Sequence, residues 1–83
     1  MAARKVREAE RFTRLSEKLD TSIKIQLEKL MGKIIENPEI GKPMRYVRKG
    51  TREVYLGSFR VSYEYVKEEE LIIFLDIYHK DEQ

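Results

Sequence analysis

The sequence predicts an α+β fold: an N-terminal helical hairpin packed on one face of a small antiparallel sheet of three to four strands, with residues 1–83 forming a single domain. Three observations predict it. Apolar residues recur at three- and four-residue steps through the first half of the chain. They alternate in the second half. A loop with two prolines and a glycine, PEIGKP at 38–43, separates the two patterns. Runs of helices followed by runs of strands place the helices together on one side of a sheet.

Residues 4–19 (RKVREAERFTRLSEKL) set Val6, Ala9, Phe12, Leu15 and Leu19 at helical spacing between charged positions, which predicts an amphipathic helix. Asp20, Thr21 and Ser22 are cap-forming residues, and Asp20 or Thr21 can satisfy the free amides of a second helix. That helix carries a stripe of Ile23, Leu27, Leu30 and Ile34, widened by Met31 and Ile35, with Lys24, Glu28, Lys29 and Lys33 facing out, and it ends at Asn37-Pro38. Gly32 lies in its interior, at a cost of about 1 kcal/mol relative to alanine, which predicts close packing of another element against it.

After the loop, MRYVR at 44–48 predicts a short strand, Lys49-Gly50 a tight turn, and TREVYL at 51–56 a second strand. Gly57-Ser58 is a two-residue hairpin turn. In 59–66, Phe59, Val61, Tyr63 and Tyr65 point to one face and Arg60, Ser62 and Glu64 to the other. KEEE at 67–70 is a charged connection. LIIFLDIY at 71–78 is apolar on both faces except at Asp76, as suits an interior strand under the helices. The face of the sheet away from the helices is left open, and it carries Arg60.

Composition excludes several chemistries. With no cysteine the chain has neither disulfides nor a thiolate metal site, and one histidine argues against a multi-histidine centre, so no metal and no cofactor is expected. No apolar run reaches transmembrane length and the N-terminus lacks the apolar core of a signal peptide, which predicts a cytoplasmic protein without membrane contact. The net charge is only +2, but it is unevenly placed. Between 41 and 60, Lys42, Arg45, Arg48, Lys49, Arg52 and Arg60 face a single acid, Glu53, whereas the segment from 61 onward is acidic. Such a local field steers a polyanion or an acidic protein segment.

Arginine interleaved with aromatics on strands is a recurring way to hold RNA through phosphate pairing and base stacking, and it marks Arg45, Arg48, Lys49, Arg52 and Tyr55 as RNA-binding candidates. An ordinary sheet with solvated basic edges accounts for the same pattern. RNA cleavage is the one reaction open to this inventory. The ribose 2′-OH is an internal nucleophile, so an enzyme has only to orient it, move protons and stabilise the phosphorane. Arg60 in mid-sheet and His79-Lys80 past the last strand are the candidates. Arg60 is equally a solvated charge or a cross-strand partner of Glu64 or Glu53, and His79 a surface or capping residue.

Several pieces together resemble the RelE/ParE superfamily of toxins from type II toxin–antitoxin modules, in particular archaeal RelE-like members. They are ENP with GKP after the second helix, the small-residue turn before an aromatic-Arg pair (GSFR), and the His-Lys ending in IIFLDIYHKDEQ. The resemblance implies a helical hairpin on an antiparallel sheet whose open face enters the ribosomal A site and cleaves mRNA. It implies a cognate antitoxin that wraps the toxin, alone or in a toxin–antitoxin heterotetramer. By matching position, Arg60 corresponds to the sheet arginine that contacts the scissile phosphate, His79 to a C-terminal proton-transfer histidine, and Lys80 to a C-terminal basic residue.

The chain departs from the family pattern in three places. Members usually begin with a β-strand, whereas residues 1–10 read as helix, so the first strand is expected to be missing or replaced; the sheet edge thus exposed is a site for homodimer or antitoxin pairing. Basic residues of RelE nucleases are replaced by Glu53 and Tyr55, and Glu53 would repel a phosphate. A later C-terminal tyrosine of RelE is absent. The alternative functions are a non-catalytic ParE-like inhibitor of DNA gyrase and a degenerate antitoxin-binding module.

Overall fold

The computed structural model describes residues 4–44 and 50–82. Its strands are β1 (Lys5–Glu8), β2 (Lys42–Pro43), β3 (Thr51–Leu56), β4 (Phe59–Val66) and β5 (Leu71–His79), and its helices are α1 (Glu10–Glu17) and α2 (Thr21–Glu36). The sheet order is β1-β5-β4-β3-β2. All neighbours are antiparallel except β1 and β5. Two helices on a mostly antiparallel sheet is the predicted α+β architecture, with five strands rather than three to four.

The extra strand is at the N-terminus, where a helix from residue 4 was expected. Helical spacing does run through Val6, Ala9 and Phe12, but only Phe12 of these is buried, and Val6 is 40% exposed. The competing demand comes from the outer edge of β5, whose amides and carbonyls need partners. β1 supplies them in register from Lys5↔Leu71 to Glu8↔Phe74. The Lys5 amide donates to the Glu70 carbonyl at 2.9 Å and the Ala9 amide to that of Phe74 at 2.8 Å. Arg4 anchors the entry, with Nη1 donating to the Ile35 carbonyl at 2.6 Å and Nε 3.1 Å from the Glu70 carboxylate. Pairing across 66 residues of sequence cannot be seen in a local period, so Lys5–Glu8 form the strand that was expected to be missing or replaced.

Asp20 is the residue that caps α2. Its carboxylate accepts from the Ile23 amide at 3.0 Å and the Ser22 hydroxyl at 2.9 Å, and these bonds hold its pKa below the usual carboxylate value. Leu27 and Ile34 of α2 are buried, flanked by Ile23, Leu30, Met31 and Ile35. Gly32, predicted to meet a packed neighbour, does not: a Cβ built there touches nothing within 4 Å, because the position lies off the core stripe. Gly32→Ala is therefore expected to stabilise the chain by about 1 kcal/mol in urea unfolding, by removing backbone freedom from the unfolded state.

β2 starts earlier than predicted. Lys42 pairs with Glu53 and Pro43 with Arg52, so the last two residues of the expected loop are strand. The predicted strand at 44–48 and the Lys49 half of the predicted turn fall almost entirely outside the described residues. Gly57 takes φ 59° in the tight turn that joins β3 to β4, a conformation that favours glycine. The charged KEEE segment is a 3-10 turn over Lys67–Glu69 closed by Glu70 in the left-handed region.

β5 holds one irregularity that matters for the open face. Ser62 opposes Asp76, but its neighbour Tyr63 opposes Phe74, so Leu75 is an extra residue on β5. This bulge lets Ile72 and Phe74 on one side of it, and Ile77 on the other, all reach the core. It also sends Asp76 and Tyr78 to the face of Arg60. The core itself joins Phe12 of α1 and Leu27 and Ile34 of α2 to Val61, Tyr63, Ile72 and Phe74 of the sheet, with the Phe12 and Phe74 rings 5.3 Å apart.

Candidate functional site

Two cross-strand rows build the face away from the helices, where Tyr55 is exposed and Glu53, Ser62 and Tyr78 are buried. In one, Tyr55, Arg60 and Tyr78 stand side by side on β3, β4 and β5; in the next, Glu53, Ser62 and Asp76 do. The Arg60 guanidinium carbon lies 3.8 Å from the centroid of the Tyr55 ring, a cation–π contact that holds the long side chain over the sheet. Tyr55 is 62% exposed. Arg60 Nε is shielded from solvent and has no hydrogen-bond partner among the described residues, so the guanidinium is positioned by stacking rather than by an ion pair.

Glu53, expected to repel a phosphate, is buried. It is 6% exposed, and its Oε2 accepts from the Tyr78 hydroxyl. The carboxylate is thus committed within the sheet, although its charge still sits one row from Arg60 and weakens the attraction of that row for an anion. Asp76 is likewise engaged, accepting from Arg11 Nε at 2.9 Å and from its neighbour's amide at 2.8 Å.

His79 faces the other way. It opposes Phe59 in register and its ring meets Phe59 edge-on at 5.5 Å, which puts it on the Val61 side of the sheet, opposite Arg60. Its Nδ1 accepts from the Asp81 amide at 3.3 Å and lies 3.5 Å from the Asp81 carboxylate. Lys80 is exposed, and its amide donates to the Ser58 carbonyl at 2.9 Å, tying the C-terminal 3-10 turn to the β3–β4 turn. The three residues marked for catalysis are therefore close along the end of the sheet but do not share one face.

A family model described as "ParE toxin of type II toxin-antitoxin system, parDE" matches residues 2–83. The chain belongs to this toxin family. It is the toxin of a type II toxin–antitoxin module, within the RelE/ParE superfamily. Among solved structures, the toxin is similar to the RelBE2 toxin–antitoxin complex of Mycobacterium tuberculosis, with TM-score 0.83, 25% identity, and coverage of 94% of this chain and 99% of that one. It has the fold of the E. coli RelBE complex (TM-score 0.80, 20% identity, 93% and 96% covered). It also has that of the archaeal RelE–RelB complex from Pyrococcus horikoshii OT3 (0.77, 14%, 99% and 100%). No curated protein sequence matches it.

Of the toxin's predicted RNA-binding residues, Arg45, Arg48 and Lys49 lie outside the described residues, and Tyr55 is on the open face beside Arg60. Arg52 is not. It faces the helix side with Tyr63, and its Nη1 donates to the carbonyls of Glu39 at 3.1 Å and Gly41 at 2.8 Å. The Tyr63 hydroxyl completes this clamp, donating to the Pro38 carbonyl at 2.6 Å and accepting from the Gly41 amide at 2.9 Å. Together they hold the loop that leads into β2.

Burial pushes the Tyr63 pKa above its ordinary value of 10.0, against the smaller opposite effect of the Gly41 amide. The folded toxin therefore keeps this proton at pH values where the unfolded chain has lost it. Its contribution is whole below pH 10 and is lost as pH rises through the folded-state pKa. Urea unfolding at stepped alkaline pH is expected to show this decline, and a Tyr63→Phe chain, less stable at neutral pH, is expected to show less of it.

Sequence reasoning missed the Glu53–Tyr78 pair. The two residues are 25 positions apart and meet only because the Leu75 bulge turns Tyr78 toward β3. Among the described residues no group of metal-ligating side chains gathers, and no helix is long and apolar enough to cross a membrane.

Proposed function

We propose that this toxin is an mRNA endonuclease that acts in the cytoplasm on RNA held in the ribosome. The observation that carries the reading is Arg60, a planar cation on the central strand of the sheet, stacked on an exposed tyrosine and in no ion pair among the described residues. In the proposed reaction the 2′-OH attacks the adjacent phosphorus and the bond to the 5′-oxygen breaks. The products are a 2′,3′-cyclic phosphate and a 5′-hydroxyl. Arg60 stabilises the charge on the phosphorane oxygens. His79 and Lys80 move protons from the end of β5, a role that requires the RNA to bend around that end because His79 stands on the opposite face.

A cognate antitoxin holds the toxin inactive in the cell, as a heterodimer or heterotetramer. The toxin–antitoxin complexes of M. tuberculosis, E. coli and P. horikoshii with this fold support that partner. Primer extension on a defined mRNA in a reconstituted translation reaction tests the nuclease reading. Cuts are expected with ribosomes and not without them; intact mRNA in both reactions would reject it.

The match to the ParE model and the carboxylate of Glu53 beside the Arg60 row favour a second reading, a non-catalytic inhibitor of DNA gyrase. Inhibited supercoiling by purified gyrase, with mRNA left whole, would select it.

A further inference from the structure

Helix α2 divides its charges between two sides. Toward α1 it shares a groove lined by Glu8, Glu17 and Glu28 as well as Lys24. Toward β3 it borders a groove of about 300 Å³ whose walls include Gln26, Lys29, Lys33, Tyr55 and Gly57, with two lysines and, among the described residues, no carboxylate. Both lysines are exposed, and neither takes part in an ion pair among the described residues. They stand one helical turn apart, with Cβ atoms about 5–6 Å from one another. That step is comparable to the one between neighbouring phosphates of an extended strand.

Tyr55 borders this groove and also belongs to the candidate site, where its ring carries the Arg60 guanidinium at 3.8 Å. Among the described residues β2 pairs with β3 only at Arg52 and Glu53, so no strand pairs with the outer edge of β3 beside the exposed Tyr55. We infer that the groove between α2 and β3 is a second RNA-backbone site. The strand whose phosphate meets Arg60 continues across the exposed Tyr55 ring and sets its next phosphates on Lys29 and Lys33. The inference rests on the reading that the Arg60 face takes RNA. It adds to that reading a direction for the strand and two positioning residues on a helix that sequence reasoning treated as a solvated face.

The test is fluorescence anisotropy with a labelled 2′-O-methyl oligouridylate, which lacks the free 2′-OH nucleophile, titrated with the purified toxin across a series of NaCl concentrations. The double variant K29Q/K33Q is compared with K29R/K33R, with Arg60→Ala and with the unmodified chain. Each lost phosphate contact on a single strand lowers the slope of log K against log salt by about 0.7, so K29Q/K33Q is expected to lower it by about 1.4. The same relation gives binding on the order of 25-fold weaker at 0.1 M salt. K29R/K33R is expected to match the unmodified toxin. An unchanged slope in K29Q/K33Q, with Arg60→Ala still weakening binding, would overturn the groove and leave the Arg60 reading standing. No RNA binding by the unmodified chain would overturn both. A decaglutamate peptide is titrated in parallel; loss of peptide binding alone in K29Q/K33Q would overturn the RNA assignment and give the groove to an acidic polypeptide.

Discussion

Replacing Arg60 with alanine is expected to lower the rate of ribosome-dependent cleavage on the order of 10²–10³-fold, the usual effect of deleting one donor aimed at developing phosphorane or oxyanion charge. The fold should survive the change. Arg60 makes no ion pair among the described residues, and its shielded Nε is unpartnered, so the substitution strands no opposite charge. What is lost structurally is the stacking on Tyr55, about 0.5–1 kcal/mol at an exposed ring. Single-turnover cleavage rates, measured beside a thermal melt of the same preparation, separate the two effects. Arg60→Lys keeps the charge but not the planar fork or the stacking geometry, and is expected to fall between the two. A well-folded Arg60→Ala toxin that cuts at the unmodified rate would remove Arg60 from the reaction.

Gly41→Ala is expected to be the most damaging single-methyl change in the described chain. An added Cβ would sit 2.6 Å from the Tyr63 hydroxyl oxygen, 2.8 Å from Cε1 of the same ring and 2.9 Å from the Arg52 Cβ. None of these atoms is the free end of a flexible side chain. Tyr63 is fully buried and bonded to both Pro38 and Gly41, and the Arg52 Cβ is fixed to β3. Relief requires the loop to lift, which breaks the bonds that Tyr63 and Arg52 make to it. Overpacking together with an orphaned buried hydroxyl costs about 3 kcal/mol or more. In a chain of this size each kcal/mol lowers the melting temperature by roughly 4–8 °C. A melt within a few degrees of the unmodified toxin would show that the loop gives way easily and that the clamp contributes little. Because the loop feeds β2, the same substitution should also lower any activity that depends on the segment between β2 and β3.

The candidate site was legible in part. The alternation of FRVSYEYV places Arg60 on the face away from the helices, and the structure sets it opposite Tyr55. Arg52 was grouped with the RNA-binding residues because it is basic and lies in a basic stretch. Its parity on β3 assigns it to the helix side, and its partners are backbone carbonyls. His79 enters the candidate set as a histidine just past the last strand and by the family resemblance, neither of which specifies its face. The Leu75 bulge restores Ile77 to the core, and with it the adjacent alternation that puts Tyr78, not His79, beside Arg60.

The sequence by itself determined the features that depend on neighbours within a few residues. These are the Asp20 cap, the stripe of α2, the tight β3–β4 turn, and the alternation of β3 and β4. Each follows from a local period, a cap or a backbone preference, which short-range sterics and burial decide. Only the tertiary structure decided that Lys5–Glu8 is a strand, that Glu53 is buried against Tyr78, and that Arg52 and Tyr63 clamp the loop at Gly41. These contacts join residues from 11 to 66 positions apart. They arise from unpaired backbone edges and buried polar groups that must find partners wherever the fold brings them, and a linear pattern does not record where that is.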